Sequence, residues 1–250
     1  MLTTRLYVVL DAKNHFVSSA HRAFFVSPDG KPRVNRYSYV SHPLRTDLSR
    51  VLTYCGIDGD RYLDRFSATV TPFVLDRAAV VRMMSDIESL SGSGFAVEFE
   101  KQRLLEFFLY SAWLLRNGVA LDDAFDFHQM FSPTVWPKGV DAQTLEHAFE
   151  QARSGASPIF SIHRRALGRL PVDETGGLEE FWASIGLFAD SSAAHAFVRD
   201  FKTSFFRSEV VRKMRETRGR ALISLGRHLR ALAVRLHLRT AGADTTSERR

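Results

Sequence analysis

Residues 5–16 read RLYVVLDAKNHF, a run of apolar residues that is followed at once by a polar turn. Residues 6–10 are all apolar and mostly β-favouring, a pattern typical of a short strand covered on both faces. Asp11 ends the run. Ligands of open α/β sheets bind beyond the carboxyl ends of the strands, so the polar residues 11–15 are expected to face a crevice. The sequence therefore predicts an α/β fold with a candidate site at this turn.

The other apolar patterns place strands mainly in the first third of the chain and helices after it. Further strands are predicted at 22–26, 34–40 and 158–163, with an extended segment at 71–75 before a helix that Asp76 caps. Helices are predicted at 43–55, 76–90, 98–116, 141–153, 178–188 and 191–206, and a loop at 91–94. The helix at 98–116 is apolar on most of its circumference and is expected to be buried. This order favours a mixed α/β domain with a helical C-terminal part.

Composition excludes several classes of protein. The chain has 250 residues, of which 45% are hydrophobic and 25% charged, so it can form a core and is not disordered throughout. Its longest stretch without Asp, Glu, Lys or Arg, residues 127–137, contains two prolines, whereas a membrane-spanning helix needs about 20 mostly apolar residues. The N-terminus has no signal-peptide core, and the one cysteine, Cys55, excludes an internal disulfide. We therefore expect a cytoplasmic protein.

The net charge of +6 comes from the C-terminal region. Residues 207–239 contain nine arginines and one lysine against two glutamates. Five leucines with helical spacing form a stripe along one side of this segment: Leu222, Leu225, Leu229, Leu232 and Leu236. The pattern predicts a basic amphipathic helix that packs on the core, lies peripherally on an anionic inner membrane surface or binds a partner, followed by a disordered tail at 240–250. Because aromatic residues are absent from the segment, we expect no nucleic-acid binding.

The polar turn after the first strand contains the first candidate site residues. Asp11 is suited to a divalent cation or a ribose hydroxyl, and the Lys13 ammonium to a phosphate. Asn14 and His15 are suited to hydrogen bonds with a sugar or to a metal ion. The alternative is an ordinary polar turn in which Asp11 accepts hydrogen bonds from nearby backbone.

A second candidate lies in the middle of the chain. On a helical wheel, Glu106 lies in a strip of polar and aromatic residues: Gln102, Tyr110 and Trp113. If this strip lines a cleft, Glu106 is a candidate general base. The alternative is a pair between Glu106 and Arg103 on a solvated face of the helix.

A third candidate follows the strand predicted at 158–163. His163 offers a metal ligand or a phosphate partner, and Arg164 offers a planar guanidinium to diphosphate oxygens. The alternative is the start of a helix with solvated arginines. Trp136 is either a stacking platform for a sugar or an aromatic residue of the core or of a loop. Motifs of P-loop nucleotidases, zinc proteases, serine hydrolases and dinucleotide-binding enzymes are absent from the sequence.

Five segments, taken in order, resemble a known family. They are YVVLDAKNHF at 7–16, DGK at 29–31, TPFVL at 71–75, EFFLY at 106–110 and IFSIHR at 159–164. Together they resemble an uncharacterised bacterial family related to GT-A-type, nucleotide-sugar-dependent glycosyltransferases. The resemblance implies an incomplete GT-A-like mixed sheet flanked by helices, in a domain at 1–206. It also implies transfer of a sugar from a nucleotide sugar to a polysaccharide or cell-envelope acceptor.

The resemblance implies a donor site around the first turn. Asp11-Ala12-Lys13 is similar to the Asp-x-Asp element that binds the metal and the donor in this superfamily. The implied donor and diphosphate contacts are Asp11, Lys13, Asn14, His15, His163 and Arg164. A metal ion, Mn²⁺ or Mg²⁺, would be held by Asp11 and His163. Lys13 in place of the second aspartate removes one ligand, so stabilisation of the leaving diphosphate without a metal is expected.

The resemblance also implies an acceptor site. Glu106 would deprotonate or orient the acceptor hydroxyl. Pro72, Phe73 and Tyr110 would shape the acceptor loop.

The position of the Asp-x-Asp-like element near the start of the sequence is unusual for the superfamily. Only ten residues precede Asp11, whereas the nucleotide-binding elements of GT-A domains usually precede this element. The resemblance thus implies that the front half of the donor site is missing, either because the true start lies upstream or because this is a truncated, inactive relative. The strand at 6–10 would then leave an exposed edge, which predicts self-association. The second functional hypothesis is a non-enzymatic protein that uses residues 207–239 at a membrane surface or with a protein partner.

Overall fold

The computed structural model describes residues 4–127, 132–137, 141–214 and 217. Its strands are β1 (Leu6–Val9), β2 (Asn14–Phe16), β3 (Arg36–Tyr37), β4 (Phe66–Ser67), β5 (Phe73–Asp76), β6 (Thr134–Val135) and β7 (Ile159–Ile162). Its helices are α1 (Arg22–Phe25), α2 (Arg45–Tyr54), α3 (Arg77–Ser91), α4 (Phe95–Lys101), α5 (Glu106–Arg116), α6 (Leu121–Ala124), α7 (Ala142–Arg153), α8 (Arg164–Arg169), α9 (Val172–Ser184) and α10 (191–214). The prediction of a mixed α/β structure is confirmed.

The strands form small sheets. β1 pairs with β5, and β3 pairs with β4, both antiparallel. A three-stranded mixed sheet has β7 in the middle, antiparallel to β2 and parallel to β6. In this sheet Asn14 lies opposite Ser161, which brings the polar turn after β1 to the carboxyl end of β7. The pairing therefore places two segments of the candidate site side by side.

The first strand is less buried than the sequence predicts. All four residues of β1 are half-buried. Leu6 and Val8 pack against one hydrophobic cluster. Tyr7 and Val9 pack against another. Within the described ranges, β1 pairs with β5 alone. The prediction of a fully covered strand is wrong, because a strand of a two-stranded sheet has an unpaired edge that stays partly exposed.

The strand predicted at 22–26 does not form, and of the strand predicted at 34–40 only Arg36–Tyr37 is observed, as β3. Residues 22–25 make one helical turn, α1, and Val26 makes an isolated bridge with Pro32. Arg33 instead pairs with Asp126, through a backbone bridge and an ion pair at 3.2 Å. The prediction differs because Arg33 pairs with a residue 93 positions further along the chain and β3 pairs with β4, and no local pattern shows either partner.

The single helix predicted at 98–116 is two helices, α4 and α5. The chain leaves the helical conformation at Arg103, which has a left-handed φ of 52°, and Leu104 is buried in the core. Gln102 and Glu106 therefore do not share one helix. The prediction of a polar strip along a single helix is wrong. α5 itself is buried from Phe107 onward over most of its length, as its apolar residues predict.

Helices with clear end signals lie where the sequence predicts them. Asp76 caps α3 by accepting a hydrogen bond from a backbone N–H of the first turn, and Gly92 ends this helix with a φ of 66°. Asp141 caps α7 in the same way. The predictions of α2 and β7 are also confirmed. α9 begins directly after Pro171, earlier than the predicted 178–188.

Two large hydrophobic clusters form the core. The largest fully buried side chains of the first are Tyr39, Phe66, Phe73 and Phe108. Those of the second are Phe149, Phe160, Phe181 and Trp182. β1 packs on the first cluster, and Val17, directly after β2, packs on the second. The turn between β1 and β2 therefore lies where the two clusters meet.

The last described helix, α10, crosses the predicted boundary between residues 206 and 207. It is continuous over 191–214 and packs on the second cluster through Ala194 and Val198. Most of the predicted basic helix, with its leucine stripe, and the tail at 240–250 lie outside the described residues. Among the residues that the structure describes, no helix has both the length and the apolar character needed to cross a bilayer.

Candidate functional site

A cavity of about 310 Å³, which we call cavity A, lies among β2, β7, α8, α9 and α10. Its polar lining residues are Asp11, Lys13, His15, His163 and Arg164. Its apolar and aromatic lining includes Ile162, Leu167, Trp182, Phe197 and Phe201. The structure thus brings together five of the six residues that the family resemblance places at the donor.

Asn14, the sixth of these residues, holds the turn in place. Its Oδ1 accepts a hydrogen bond from the Asp11 N–H at 2.7 Å, and its Nδ2 donates to Oγ of Ser161 at 2.7 Å. The first bond closes the turn, and the second ties it to β7. Asn14 therefore positions Asp11 and Lys13.

Lys13 and Asp11 form an ion pair at the wall of cavity A. Nζ of Lys13 lies 2.8 Å from Oδ2 of Asp11. This hydrogen bond is the main reason why the pKa of Asp11 lies below its usual value, so the carboxylate is charged at neutral pH. An ammonium has three donors, and Asp11 uses one of them. Lys13 therefore keeps N–H donors with which to bind an anion.

One nitrogen of His163 is bound to the backbone. Nδ1 accepts a hydrogen bond from the Arg165 N–H at 3.1 Å, at the start of α8. Because Nδ1 is an acceptor, the proton of the neutral ring is on Nε2. Burial lowers the pKa of His163, and the charges of Lys13 and Arg165 lower it further. The ring is therefore neutral at pH 7 and offers an N–H donor at Nε2.

Trp136 covers this pair of polar residues. The centre of its ring lies 5.6 Å from Nζ of Lys13 and 5.6 Å from the centre of the His163 ring. The residue is 47% exposed and lies in the loop after β6, so it is a loop aromatic and not a core one. A half-exposed indole beside two polar groups offers an apolar face to a ligand.

His15 and Trp182 lie together on the buried side of cavity A. Trp182 is 1% exposed, and its ring centre lies 5.7 Å from that of His15. Among the described residues, neither Nδ1 of His15 nor Nε1 of Trp182 has a hydrogen-bond partner. Burial lowers the pKa of His15, so its ring is neutral at pH 7. Buried polar atoms usually have partners, so these two atoms need an explanation.

Arg164 lies at the exposed rim of cavity A. Its guanidinium carbon is 5.7 Å from the centre of the Phe205 ring of α10. Gly168 of α8 allows Phe205 to approach closely, because a Cβ at this position would overlap with the ring. The close packing of α8 and α10 therefore supports the position of Arg164.

A second cavity of about 370 Å³, which we call cavity B, meets cavity A at Lys13, which lines both. Other residues that line cavity B are Tyr37, Thr71, Pro72, Trp136, His147 and Gln151. Nε2 of His147 lies 2.9 Å from Nε2 of Gln151. Oγ1 of Thr71 is buried and has no hydrogen-bond partner within the described ranges. Cavity B is thus a polar cleft that Trp136 borders.

Three residues predicted at the acceptor site lie elsewhere. Glu106 is exposed at the start of α5 and lines neither cavity. Phe73 stacks on Phe107 in the first cluster, with ring centres 4.3 Å apart. Tyr110 is buried, and its Oη accepts a hydrogen bond from the Asp76 N–H at 3.3 Å. Glu106 therefore does not line the cleft in which a general base is expected, because the break at Arg103 makes it the exposed first residue of α5. Phe73 and Tyr110 are core residues, and only Pro72 of this group lines cavity B.

The polar residues of cavity A do not fit a divalent cation. Mg²⁺ and Mn²⁺ prefer several oxygen ligands, whereas the lining offers one carboxylate, Asp11, which the Lys13 ammonium already binds. Throughout the described part of the chain, no group of three or more His, Cys, Asp or Glu residues is arranged to hold a metal. The positive charge at this site is supplied by Lys13 and Arg164.

The sequence does not indicate that Trp182 lines cavity A or that His147 and Gln151 line cavity B. Trp182 follows Leu178 and Phe181 in α9 with the spacing of an ordinary core residue. His147 and Gln151 lie one helical turn apart on α7, a spacing that many solvated pairs share. Only the fold places these residues at the cavities.

Cavity A combines cations and N–H donors with a neutral, mostly apolar buried side. This arrangement suits a ligand that has an anionic group next to an uncharged one. Comparisons with protein-family models, with curated proteins and with solved structures found no match to this chain. Its function is therefore inferred from the two cavities.

Proposed function

We propose that this protein is a GT-A-like glycosyltransferase domain that transfers a sugar from a nucleotide sugar to a carbohydrate acceptor of a polysaccharide or the cell envelope. The observation that carries the proposal is the convergence of Lys13, His163 and Arg164 on cavity A. These side chains supply an ammonium, a neutral N–H donor and a guanidinium, a set that suits a diphosphate. Their positions support the roles that the family resemblance implies.

Stabilisation of the leaving group is the main requirement of this reaction. An acceptor hydroxyl attacks the anomeric carbon, and a new C–O bond forms while the bond to the phosphate oxygen breaks. The nucleoside diphosphate leaves with the bonding electron pair, so negative charge develops on the phosphate. Preorganised positive charge at this point lowers the barrier. We assign this task to Lys13, which in the family resemblance replaces the second aspartate of the Asp-x-Asp element and brings its own positive charge.

Asp11 and His163 complete the proposed diphosphate site. Asp11 holds Nζ of Lys13 at 2.8 Å, so the ammonium is oriented before the donor binds. His163 donates from Nε2 to a phosphate oxygen while its Nδ1 stays bound to the start of α8. The exposed Arg164 binds the outer part of the diphosphate.

We assign the acceptor to cavity B. It meets the donor cavity at Lys13, and its polar lining suits the hydroxyls of a sugar. Trp136 provides a face on which a sugar ring can stack. We assign the hydroxyl proton to the imidazole of His147, a lining residue whose ring lies beside Gln151. In this proposal His147 replaces Glu106 as the general base.

Calorimetric titration with nucleoside diphosphates and nucleotide sugars tests the donor site. We expect at least one nucleoside diphosphate to bind, and a ligand at 100 times its Kd adds about 2.7 kcal/mol to the free energy of unfolding. Lys13→Met should lose this binding. Lys101→Met is the matched control, since Lys101 is exposed and lines neither cavity. Equal binding by Lys13→Met and the wild type, or no binding of any member of the panel, contradicts the proposal.

A further inference from the structure

The buried side of cavity A contains polar atoms that the proposed phosphate contacts do not use. Nε1 of Trp182 and Nδ1 of His15 are both buried, and the described residues provide neither with a partner. The two rings lie 5.7 Å apart and line the same cavity as Lys13 and His163. A ligand that reaches past the phosphate site is therefore next to the two rings that carry these unsatisfied atoms.

The chemistry of these atoms limits what the ligand can be. An indole N–H only donates, so the ligand must offer an acceptor to Trp182. The imidazole of His15 is neutral, and its Nδ1 can accept a hydrogen bond from a ligand N–H. An unpaired charge buried in this part of the cavity would be unfavourable. The ligand group is therefore uncharged and carries both a donor and an acceptor.

The remaining lining of the buried side is apolar. Leu167 of α8 and Phe197 and Phe201 of α10 contribute to it. A hydroxyl group could pair with one or both polar atoms, but it would leave this apolar wall in contact with polar surface. A secondary amide that ends in a methyl group matches all three features: an acceptor, a donor and a small apolar end.

We propose that the buried side of cavity A binds the acetamido group of a 2-acetamido sugar. The amide carbonyl accepts from Nε1 of Trp182, the amide N–H donates to Nδ1 of His15, and the methyl group packs on the apolar wall. The inference rests on the proposed function and specifies the class of its donor. It makes Trp182 and His15 specificity-determining residues, while Lys13 and His163 bind the phosphate that all such donors share.

Sugar 1-phosphates test this inference without knowledge of the nucleotide. We expect N-acetylglucosamine 1-phosphate to bind the wild type at least about tenfold more tightly than glucose 1-phosphate in calorimetric titrations. Trp182→Phe removes the indole N–H and retains an aromatic ring, so it should reduce this preference to less than about threefold. Trp113→Phe is the matched control, because it removes an indole N–H that donates to Asp86 and lies outside both cavities. This variant should keep the full preference.

A measurement on the unaltered protein covers the case in which Trp182→Phe does not fold. In saturation-transfer NMR with N-acetylglucosamine 1-phosphate, the acetyl methyl protons should receive the strongest saturation of the ligand. Equal affinity for the two sugar phosphates, or a methyl signal no stronger than those of the ring protons, overturns the acetamido assignment and leaves the proposed function standing. If neither sugar phosphate nor any nucleoside diphosphate binds, the proposed function and the assignment both fail.

Discussion

Nζ of Lys13 lies 2.8 Å from Oδ2 of Asp11, so the cation of the proposed donor site is held by an anion two residues before it. The pair lines cavity A at the point where the chain passes from the first hydrophobic cluster to the second. The Lys13 ammonium attracts an incoming phosphate, and the Asp11 carboxylate repels it. In a metal site Asp11 would instead favour phosphate binding by holding the metal ion, so the effect of Asp11 on phosphate affinity distinguishes the two kinds of site.

Asp11→Asn should bind nucleoside diphosphates at least as tightly as the wild type. The change keeps the shape of the side chain and removes the negative charge nearest the Lys13 ammonium, so repulsion of phosphate decreases. We expect an affinity about two- to fivefold higher at low salt and a difference that shrinks as salt is added. Calorimetric titration at two salt concentrations measures both effects.

Asp29→Asn, in an exposed turn, is the control. Weaker binding by Asp11→Asn that depends on added Mg²⁺ would instead indicate that Asp11 is a metal ligand.

Trp136→Ala should impair use of the acceptor more than binding of the donor. The residue is 47% exposed, so its loss should change the free energy of unfolding by only about 0.5 kcal/mol. We expect KM for a carbohydrate acceptor to rise about tenfold, because a stacking face worth about 1 to 1.5 kcal/mol is removed. Steady-state kinetics with varied acceptor gives KM, and calorimetry gives the donor Kd. Trp136→Phe should retain most of the acceptor affinity. An unchanged KM would place the acceptor outside cavity B.

Binding of a nucleotide sugar should strengthen as the pH falls. Burial lowers the pKa of His163 in the free protein, and the charges of Lys13 and Arg165 lower it further, whereas a bound diphosphate raises it again. Binding therefore takes up protons. Affinity should fall as the pH rises through the pKa of the bound state and level off below the pKa of the free state. Nδ1 must leave the Arg165 N–H to be protonated, so we expect a change of less than about tenfold between about pH 8 and pH 6.

Titrations in buffers with different ionisation enthalpies measure the proton uptake of this binding directly. A nucleotide sugar is the suitable ligand, since it has no terminal phosphate that titrates in this range. His163→Gln should abolish the uptake. A variant that shows the same uptake as the wild type would assign the titration to another group.

Asp76 should stabilise the fold through two hydrogen bonds. Its side chain accepts from the Ala79 N–H at 3.0 Å and from Nε of Arg5 at 2.9 Å. Burial alone would raise the pKa of Asp76, but these hydrogen bonds outweigh it and the pKa lies below its usual value. We expect Asp76→Ala to lower the free energy of unfolding by about 0.5–2 kcal/mol at neutral pH.

The pH dependence of this stabilisation has a definite sign. Because the pKa of Asp76 is lower in the folded state, its contribution is fully present above the pKa of the unfolded state and is lost as the pH falls through that of the folded state. The difference between the wild type and Asp76→Ala in urea unfolding should therefore shrink in acid. Arg5→Ala should cost less, about 0–1 kcal/mol, since the Arg5 side chain is 80% exposed. A difference between wild type and Asp76→Ala that stays constant down to about pH 2 would exclude this role.

Gly168→Ala should destabilise the contact between α8 and α10. A helical alanine is normally favourable relative to glycine, by about 1 kcal/mol, but the added Cβ would overlap with the Phe205 ring. We expect a net loss of about 1–3 kcal/mol in the free energy of unfolding. Phe205→Ala creates space for the methyl group, so the double variant should be more stable than the two single changes predict when added. Additive effects would show that Gly168 and Phe205 do not meet.

Local signals made several elements predictable. The ends of α3 and the start of α7 depend on hydrogen bonds and backbone conformations within a few residues. These are the caps at Asp76 and Asp141 and the left-handed Gly92. The apolar circumference of α5 predicts its burial because a helix without a polar face has no stable exposed position. By contrast, the break at Arg103 and the helical turn at 22–25 depend on where Leu104 and Phe25 find room in the core, and local propensity does not show this.

By itself, the sequence determined that a short strand ends at the polar turn that begins with Asp11 and that another strand ends before His163, because both follow from the order of apolar and polar residues. Only the tertiary structure decided that these segments share a cavity. The contact depends on the pairing of β2 with β7, which joins Asn14 to a residue 147 positions away. The tertiary structure also placed Trp182 in that cavity and Glu106 outside it. Side-chain packing between distant segments fixes such positions, and the local pattern of residues in the chain does not predict this packing.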